Sequence, residues 1–186
     1  LDKSVNVHGW KFDVKGMMQS GQSNIVLIGM PGAGKSTVGV LLAKRLGLSF
    51  LDTDVLIQAA CGKSLRDLID ERGMAGFCQI ERDYVRGIQV AHTVIATGGS
   101  VVYYDDAMQR LQAGGRVVYL QLPLEELRRR VDDLNARGVV LEPGQTLESL
   151  YEKRRPLYER WAQVTVPLCG LNHEQAVETI IKTLQG

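Results

Sequence analysis

One stretch fixes most of what this chain can become. From Asn24 to Gly47 it reads NIVLIGMPGAGKSTVGVLLAKRLG. Ile25 to Ile28 is a short β-branched and leucine run, suited to a strand buried on both faces. The run stops at Gly29, and Gly29-Met-Pro-Gly-Ala-Gly-Lys35-Ser36 fits G-x-x-x-x-G-K-[ST] without a mismatch. The period then becomes helical. Val38, Leu41, Leu42 and Leu46 share one face, and Gly47 stands where a helix would be capped at its C-terminus. Glycines let such a loop wind so that successive N–H groups, those of Gly32, Ala33, Gly34, Lys35, Ser36 and Thr37, turn toward phosphate oxygens. The following helix adds the positive end of its dipole. Lys35 can reach the β- and γ-phosphates, and the Ser36 hydroxyl can take one position on Mg²⁺. A glycine turn arising by chance would not bring both a strand before it and a helix after it. The residues predict a nucleoside triphosphate site with Mg²⁺ beside it.

The 186 residues leave room for one well-cored domain. Twenty-two basic and twenty-one acidic side chains leave a net charge of +1, so no nucleic-acid or membrane surface is expected. No apolar run approaches a membrane span and no signal peptide is evident, which predicts a cytoplasmic protein. Cys61, Cys78 and Cys169 are odd in number and widely spaced, and read as reduced thiols. His8, His92 and His173 are isolated, so no metal site made of protein ligands alone is expected. A monomer is expected.

Residues 1–23 form an N-terminal extension with no clear period and no assigned function, although Trp10 and Phe12 could anchor it. The domain proper runs over 24–186. Leu48 to Leu51 reads as a second short buried strand, ending at Asp52-Thr53-Asp54, where carboxylates would flank the ligand crevice of an open α/β sheet. Helical patches with breaks at Gly62 and Gly73 follow. A longer helix is expected from Met74 to Ala91, with Ile80, Tyr84, Ile88 and Ala91 along one face. Thr93 to Ala96 is a third strand, followed at once by Thr97-Gly98-Gly99-Ser100. Arg116 to Leu120 and Val164 to Val166 are the fourth and fifth strands. Helices are expected over Ala107 to Ala113, Leu124 to Asp133, Leu147 to Trp161 (interrupted by Pro156) and Glu174 to Leu184. The stretch at about 134–145 has no period and reads as a lid. Alternating strands and helices predict a three-layer α/β/α P-loop sandwich on a five-stranded parallel sheet.

A P-loop alone does not separate kinases from GTPases or motors. Length removes the large machines, and no N-K-x-D stands where a GTPase would read guanine. Three further features resemble the shikimate kinase family, among the nucleoside-monophosphate-kinase-like small P-loop kinases. They are the D-x-D of Asp52 and Asp54, the A-T-G-G of Ala96 to Gly99, and the R-x-P-L-Y of Arg154 to Tyr158. The segment from Asp67 to Gly73, Gly76-Phe77 and Ile80-Glu81 match the linking pattern, so the resemblance covers roughly Asn24 to Leu184. It implies transfer of the γ-phosphoryl group of ATP to a small alcohol. By resemblance, Lys35 is the P-loop lysine, and Ser36 and Asp52 hold Mg²⁺ and its hydration shell. Asp54 bonds the acceptor hydroxyl and accepts its proton. Gly98 and Gly99 form the glycine strip beneath the acceptor, and Arg154 grips the acceptor's carboxylate with its planar fork. Arg130 lines the adenine pocket, and Arg137 on the lid reaches the transferring phosphoryl group.

The chain departs from that pattern on the acceptor side. The resemblance implies an arginine where Cys78 stands, and a thiol has neither the charge nor the fork. Losing one such contact typically costs about 1.5–3 kcal/mol, or about one to two decades in affinity. Glu81, the partner of that arginine by resemblance, is then free to bind another group, such as a cationic group on the substrate. Arg82, Arg86 and Arg155 are the candidates to supply the missing cation. The strip ends in Ser100 rather than a third glycine, and the lid reads Arg137-Gly-Val-Val. Three readings stay open: shikimate as acceptor, another small alcohol such as homoserine, or a nucleotide-binding regulator without turnover.

Overall fold

The computed structural model describes residues 5–7, 10–12, 22–131 and 144–185. Five parallel strands form the central sheet: β3 (Asn24–Ile28), β4 (Ser49–Asp52), β5 (Thr93–Ala96), β6 (Gly115–Gln121) and β7 (Val164–Pro167). Their spatial order is β4-β5-β3-β6-β7. The first strand of the domain is therefore the middle of the sheet, and every residue of β3 is buried. A strand buried at all positions needs cover on both faces. Helices α1 (Lys35–Leu46) and α7 (His173–Gln185) pack against each other and onto the sheet. Helices α3 (Leu65–Gly87), α4 (Asp105–Gly114) and α6 (Leu147–Trp161) supply the remaining cover, with the short α2 (Thr53–Cys61) and α5 (Leu124–Val131) at the edges. The expected sandwich and its five parallel strands are what the chain forms.

The chain leaves β3 through Gly29, whose φ of 150° suits glycine and few other residues. A Cβ there would stand 2.8 Å from the Leu120 carbonyl oxygen, a backbone atom of β6 that cannot step aside. Gly29→Ala is therefore expected to destabilise the domain by about 1–3 kcal/mol. A denaturant midpoint that does not move would show that the loop tolerates other turns. Gly34 (φ 87°) starts α1 and Gly47 (φ 67°) ends it in the left-handed cap expected there. Two other helices open with reciprocal capping boxes, Ser64 with Asp67 on α3 and Thr146 with Ser149 on α6.

Several local expectations are corrected. The chain from Leu65 to Gly87 is one helix in two arms, bent at Gly73 (φ 69°, ψ 170°), and it stops before Ala91. Its buried stripe is Phe77, Cys78, Glu81 and Val85; Ile80, Tyr84 and Ile88 are only half-buried and Ala91 is exposed. Hydrophobicity favoured the neighbouring face because a carboxylate sits on the inner one. Strand β4 lies at the sheet's edge and is partly exposed rather than buried. Helix α6 runs through Pro156 without a break. Pro156 and Glu152 both lie on its exposed face, where water can take the carbonyl that proline's missing N–H leaves free. Within the N-terminal extension, β1 (Val5–Val7) and β2 (Trp10–Phe12) pair antiparallel with Val5 opposite Phe12.

Candidate active site

The strand order reverses at β3, and ligands of open α/β sheets bind beyond the carboxyl ends of strands at such a point. There the P-loop, the ends of β4 and β5, and residues of α3 and α6 surround a cavity of about 350 Å³. The loop turns tightly, with the Ala33 N–H donating to the Met30 carbonyl at 3.1 Å. Lys35 folds back over it, its Nζ donating to the carbonyls of Gly29 and Met30 at 2.9 and 3.0 Å. Withdrawal from water brings the Lys35 ammonium down to about 8; Asp54 acts against that shift and Arg154 adds to it. Gly32, Gly34, Ser36 and Thr37 also line the cavity, at its phosphate end. Arg130 comes to 3.5 Å from the Gly32 carbonyl and pairs with Glu126, which puts it beside the loop. Arg137 and lid residues 134–143 lie outside the described residues.

The two aspartates of the D-x-D divide their work. Asp52 caps α2: its Oδ1 accepts from the N–H groups of Asp54 and Val55 at 2.9 and 3.3 Å. Its other oxygen makes no hydrogen bond to the described residues. Asp54, two positions on, points into the cavity. Burial raises its pKa above the ordinary aspartate value, the neighbouring Asp52 charge adds to this, and Lys35 opposes it. Thr53, between them, accepts from the Gly98 N–H at 2.9 Å and ties the end of β4 to the glycine strip.

That strip needs glycine because charged side chains lie against it. A Cβ on Gly98 would stand 1.9 Å from Glu81 Oε1 and 2.8 Å from Asp54 Oδ1. A Cβ on Gly99 would stand 2.7 Å from Arg154 Nη1. The Gly98 N–H is already engaged by Thr53, so at this position the lack of a side chain, more than a free donor, is what the site uses.

Glu81 is fully buried on α3. The Ser100 hydroxyl donates to its Oε2, while Oε1 has no hydrogen-bond partner among the described residues. Burial pushes Glu81 up to about 7 despite the Ser100 hydrogen bond; Asp54 raises it further, and Arg154 and Lys35 pull it down. Arg154 crosses from α6 with only 9% of its surface exposed. Its Nε donates to the Tyr103 hydroxyl at 3.0 Å. Cys78 is buried in a small apolar cluster with Ile57, Leu68 and Phe77. The three candidate replacements for the missing arginine are held elsewhere. Arg82 and Arg86 both bind Asp106, at 2.9 and 3.2 Å, and Arg155 faces Glu159 at 3.6 Å. Among the described residues, Lys35 and Arg154 are the cations of this cavity.

Sequence reasoning missed three parts of the site. Leu65, Ile69, Met74 and Phe77 of α3 make an apolar wall, which their helical spacing could have suggested. Ser100 acts as a donor to Glu81, and Tyr103 as an acceptor from Arg154. Neither has a signal in the sequence, because both contacts join segments far apart along the chain.

A triphosphate loop at the middle strand, with a carboxylate and an arginine sharing one cavity with its lysine, defines a small P-loop phosphotransferase. Comparison with known proteins narrows the class. A family model described as shikimate kinase matches residues 31–185. The shikimate kinase of Thermobifida fusca is 40% identical over 161 residues, covering 86% of this chain and 93% of that one. The solved shikimate kinase of Acinetobacter baumannii, in complex with shikimate, superposes with a TM-score of 0.80 at 31% identity, over 91% of this chain and 95% of that one. That of Aquifex aeolicus gives 0.75 at 30% identity, over 88% and 96%. The chain belongs to the shikimate kinase family and is an ATP-dependent phosphotransferase with an alcohol acceptor.

Proposed function

We propose that the chain phosphorylates shikimate, using Asp54 as the base and Arg154 as the carboxylate anchor. The observation that carries this reading is that Asp54, Lys35 and Arg154 line one cavity. The acceptor hydroxyl lies at Asp54, which takes its proton as the oxygen attacks the γ-phosphorus of ATP. The new O–P bond forms as the bond to the β-phosphate oxygen breaks, and ADP leaves. A carboxylate whose pKa burial holds above the ordinary aspartate value is a better proton acceptor than one in water. Lys35 follows the phosphoryl oxygens through the transfer, and the N–H groups of the loop hold the rest of the tail. Gly98 and Gly99 let the acceptor's neighbours close in, and the wall of Ile69, Met74 and Phe77 covers the acceptor's carbon skeleton. On the lid, Arg137 would meet the transferring group, and Arg130 beside the loop would face the adenine.

The residues present fit a magnesium ion. Ser36 offers a hydroxyl at the phosphate end of the cavity, and Asp52 keeps one carboxylate oxygen clear of its capping bonds to hold the ion's waters. When bound there, Mg²⁺ neutralises charge on the β- and γ-phosphate oxygens. The domain is read as 24–186, with 1–23 as an extension, and the protein as a cytoplasmic monomer.

Glu81 favours a second reading. A buried carboxyl oxygen with no hydrogen-bond partner among the described residues suits an acceptor carrying an ammonium group, such as homoserine. A coupled assay of ADP release with each alcohol separates the two. Shikimate-dependent release is expected, and its absence would remove the leading reading. Arg154→Lys keeps the charge and loses the fork, so the KM for shikimate is expected to rise by about one to two decades with kcat little changed.

A further inference from the structure

Tyr103 takes no part in the chemistry above, yet it touches the arginine that would anchor the acceptor. It ends the short 3₁₀ turn Val101–Tyr103 that follows the glycine strip. Its own N–H donates to the Ser100 carbonyl at 3.0 Å, and that of Tyr104 to the Val101 carbonyl at 3.1 Å. The turn is tight and carries the Tyr103 ring back to α6. There its hydroxyl accepts from Arg154 Nε, and its ring centroid lies 5.2 Å from the guanidinium carbon. One helical turn further along α6, the Tyr158 hydroxyl donates to the Gly99 carbonyl at 2.9 Å. The strip and its following turn are thus tied to α6 by two hydrogen bonds, one of them from the arginine itself.

A guanidinium is a flat group with donors on three nitrogens. With Nε engaged by Tyr103 and the ring beside the plane, the edge left for a planar anion is the Nη pair. Nη1 already lies against Gly99, where a Cβ would stand 2.7 Å away. Pre-orientation matters here because Arg154 works without a second fork. Cys78 supplies none, and Arg82, Arg86 and Arg155 are held by carboxylates outside the cavity.

We infer that Tyr103 is a positioning residue that aims the Arg154 fork at the acceptor's carboxylate, and so sets the preference of this enzyme for an acid acceptor. The inference rests on the reading of Arg154 given above. It is tested with Tyr103→Phe in the full chain, which keeps the ring and removes the hydroxyl. KM and kcat are measured with shikimate, with shikimate methyl ester and with ATP as the varied substrate. The KM for shikimate is expected to rise about fivefold to tenfold, less than the roughly one to two decades of losing a charge-assisted contact outright, because the fork itself remains. The ester's KM, the ATP KM and kcat are expected to stay where they were. Tyr103→Leu removes ring and hydroxyl and loses more; Tyr103→Gln restores an acceptor for Nε and recovers part of that loss. Equal rises for the acid and its ester, or a rise in the ATP KM, would reduce Tyr103 to a packing residue and overturn the inference. An unchanged shikimate KM in Tyr103→Phe, with Arg154→Lys strongly impaired, would overturn it while leaving the role of Arg154 intact. An unimpaired Arg154→Lys would instead bring down the reading of the site, and this inference with it.

Discussion

In the Asp54→Asn enzyme, kcat is expected to fall by about two to four decades, the usual contribution of a positioned base. Nucleotide affinity is expected to hold. Asparagine fills the same space and leaves the P-loop untouched, but it cannot take a proton. One side effect has a definite sign. Asp54 helps keep the Lys35 ammonium charged against its burial, which already holds it at about 8. Removing that negative charge lowers Lys35 further, so nucleotide binding in the variant would weaken first as the solution becomes alkaline. The comparison is therefore best made below neutrality, where Lys35 is charged in both proteins. The pH profile of the parent carries a matching signature. As the base, Asp54 would have to be ionised to act, and burial with Asp52 beside it raises its pKa, so turnover is expected to be lost on the acid side earlier than an ordinary aspartate would allow. If nucleotide binding drops in step with the rate, Asp54 serves the nucleotide rather than the acceptor.

Glu81→Gln is expected to stabilise the protein, by an amount that depends on pH. An ordinary glutamate titrates near 4.5, and this one is pushed up to about 7. Between those values the folded chain holds a proton that the unfolded chain has released. Stability from this group is therefore lost as pH rises from about 4.5 to about 7, and it stays at the reduced level above that. The gap between the two values corresponds to about 3 kcal/mol. Glutamine carries no charge at any pH and can still accept the Ser100 hydrogen bond. The gain should be absent near pH 4 and reach about 3 kcal/mol near pH 8, a rise of about 6–12 °C in Tm. Melting curves at the two pH values check this. An equal effect at both would trace it to packing rather than charge.

Much of the frame was legible because its signals are local. The strand, loop and helix from Asn24 to Gly47 announce themselves through a change of period and four glycines with positive φ. Asp52 and Asp54 were legible as a strand-end pair, although only the structure separates the helix cap from the cavity carboxylate. Glu81 was singled out by resemblance, but the burial of its helix face was misjudged. A face carrying Glu81 scores as polar, and no pattern of hydrophobicity reveals that Ser100, nineteen positions on, will bond it. Tyr103 and Arg154, fifty-one positions apart, are a sharper case. Each is ordinary in its own segment, and only the docking of α6 on the 3₁₀ turn makes them partners. The arginines fared likewise. Arg82 and Arg86 are near Glu81 along the helix, yet Asp106 of α4 draws both away.

The bend at Gly73 bears on which alcohols can enter. A straight helix of that length would extend roughly 34 Å and could lay only one short portion against the cavity. Bent, it curls two arms around the same chamber: Leu65 and Ile69 from one, Met74 and Phe77 from the other. The chamber's girth is thus governed by one residue's backbone angles. A limit on the size of the acceptor would follow from the path of the main chain, apart from any charge the walls display.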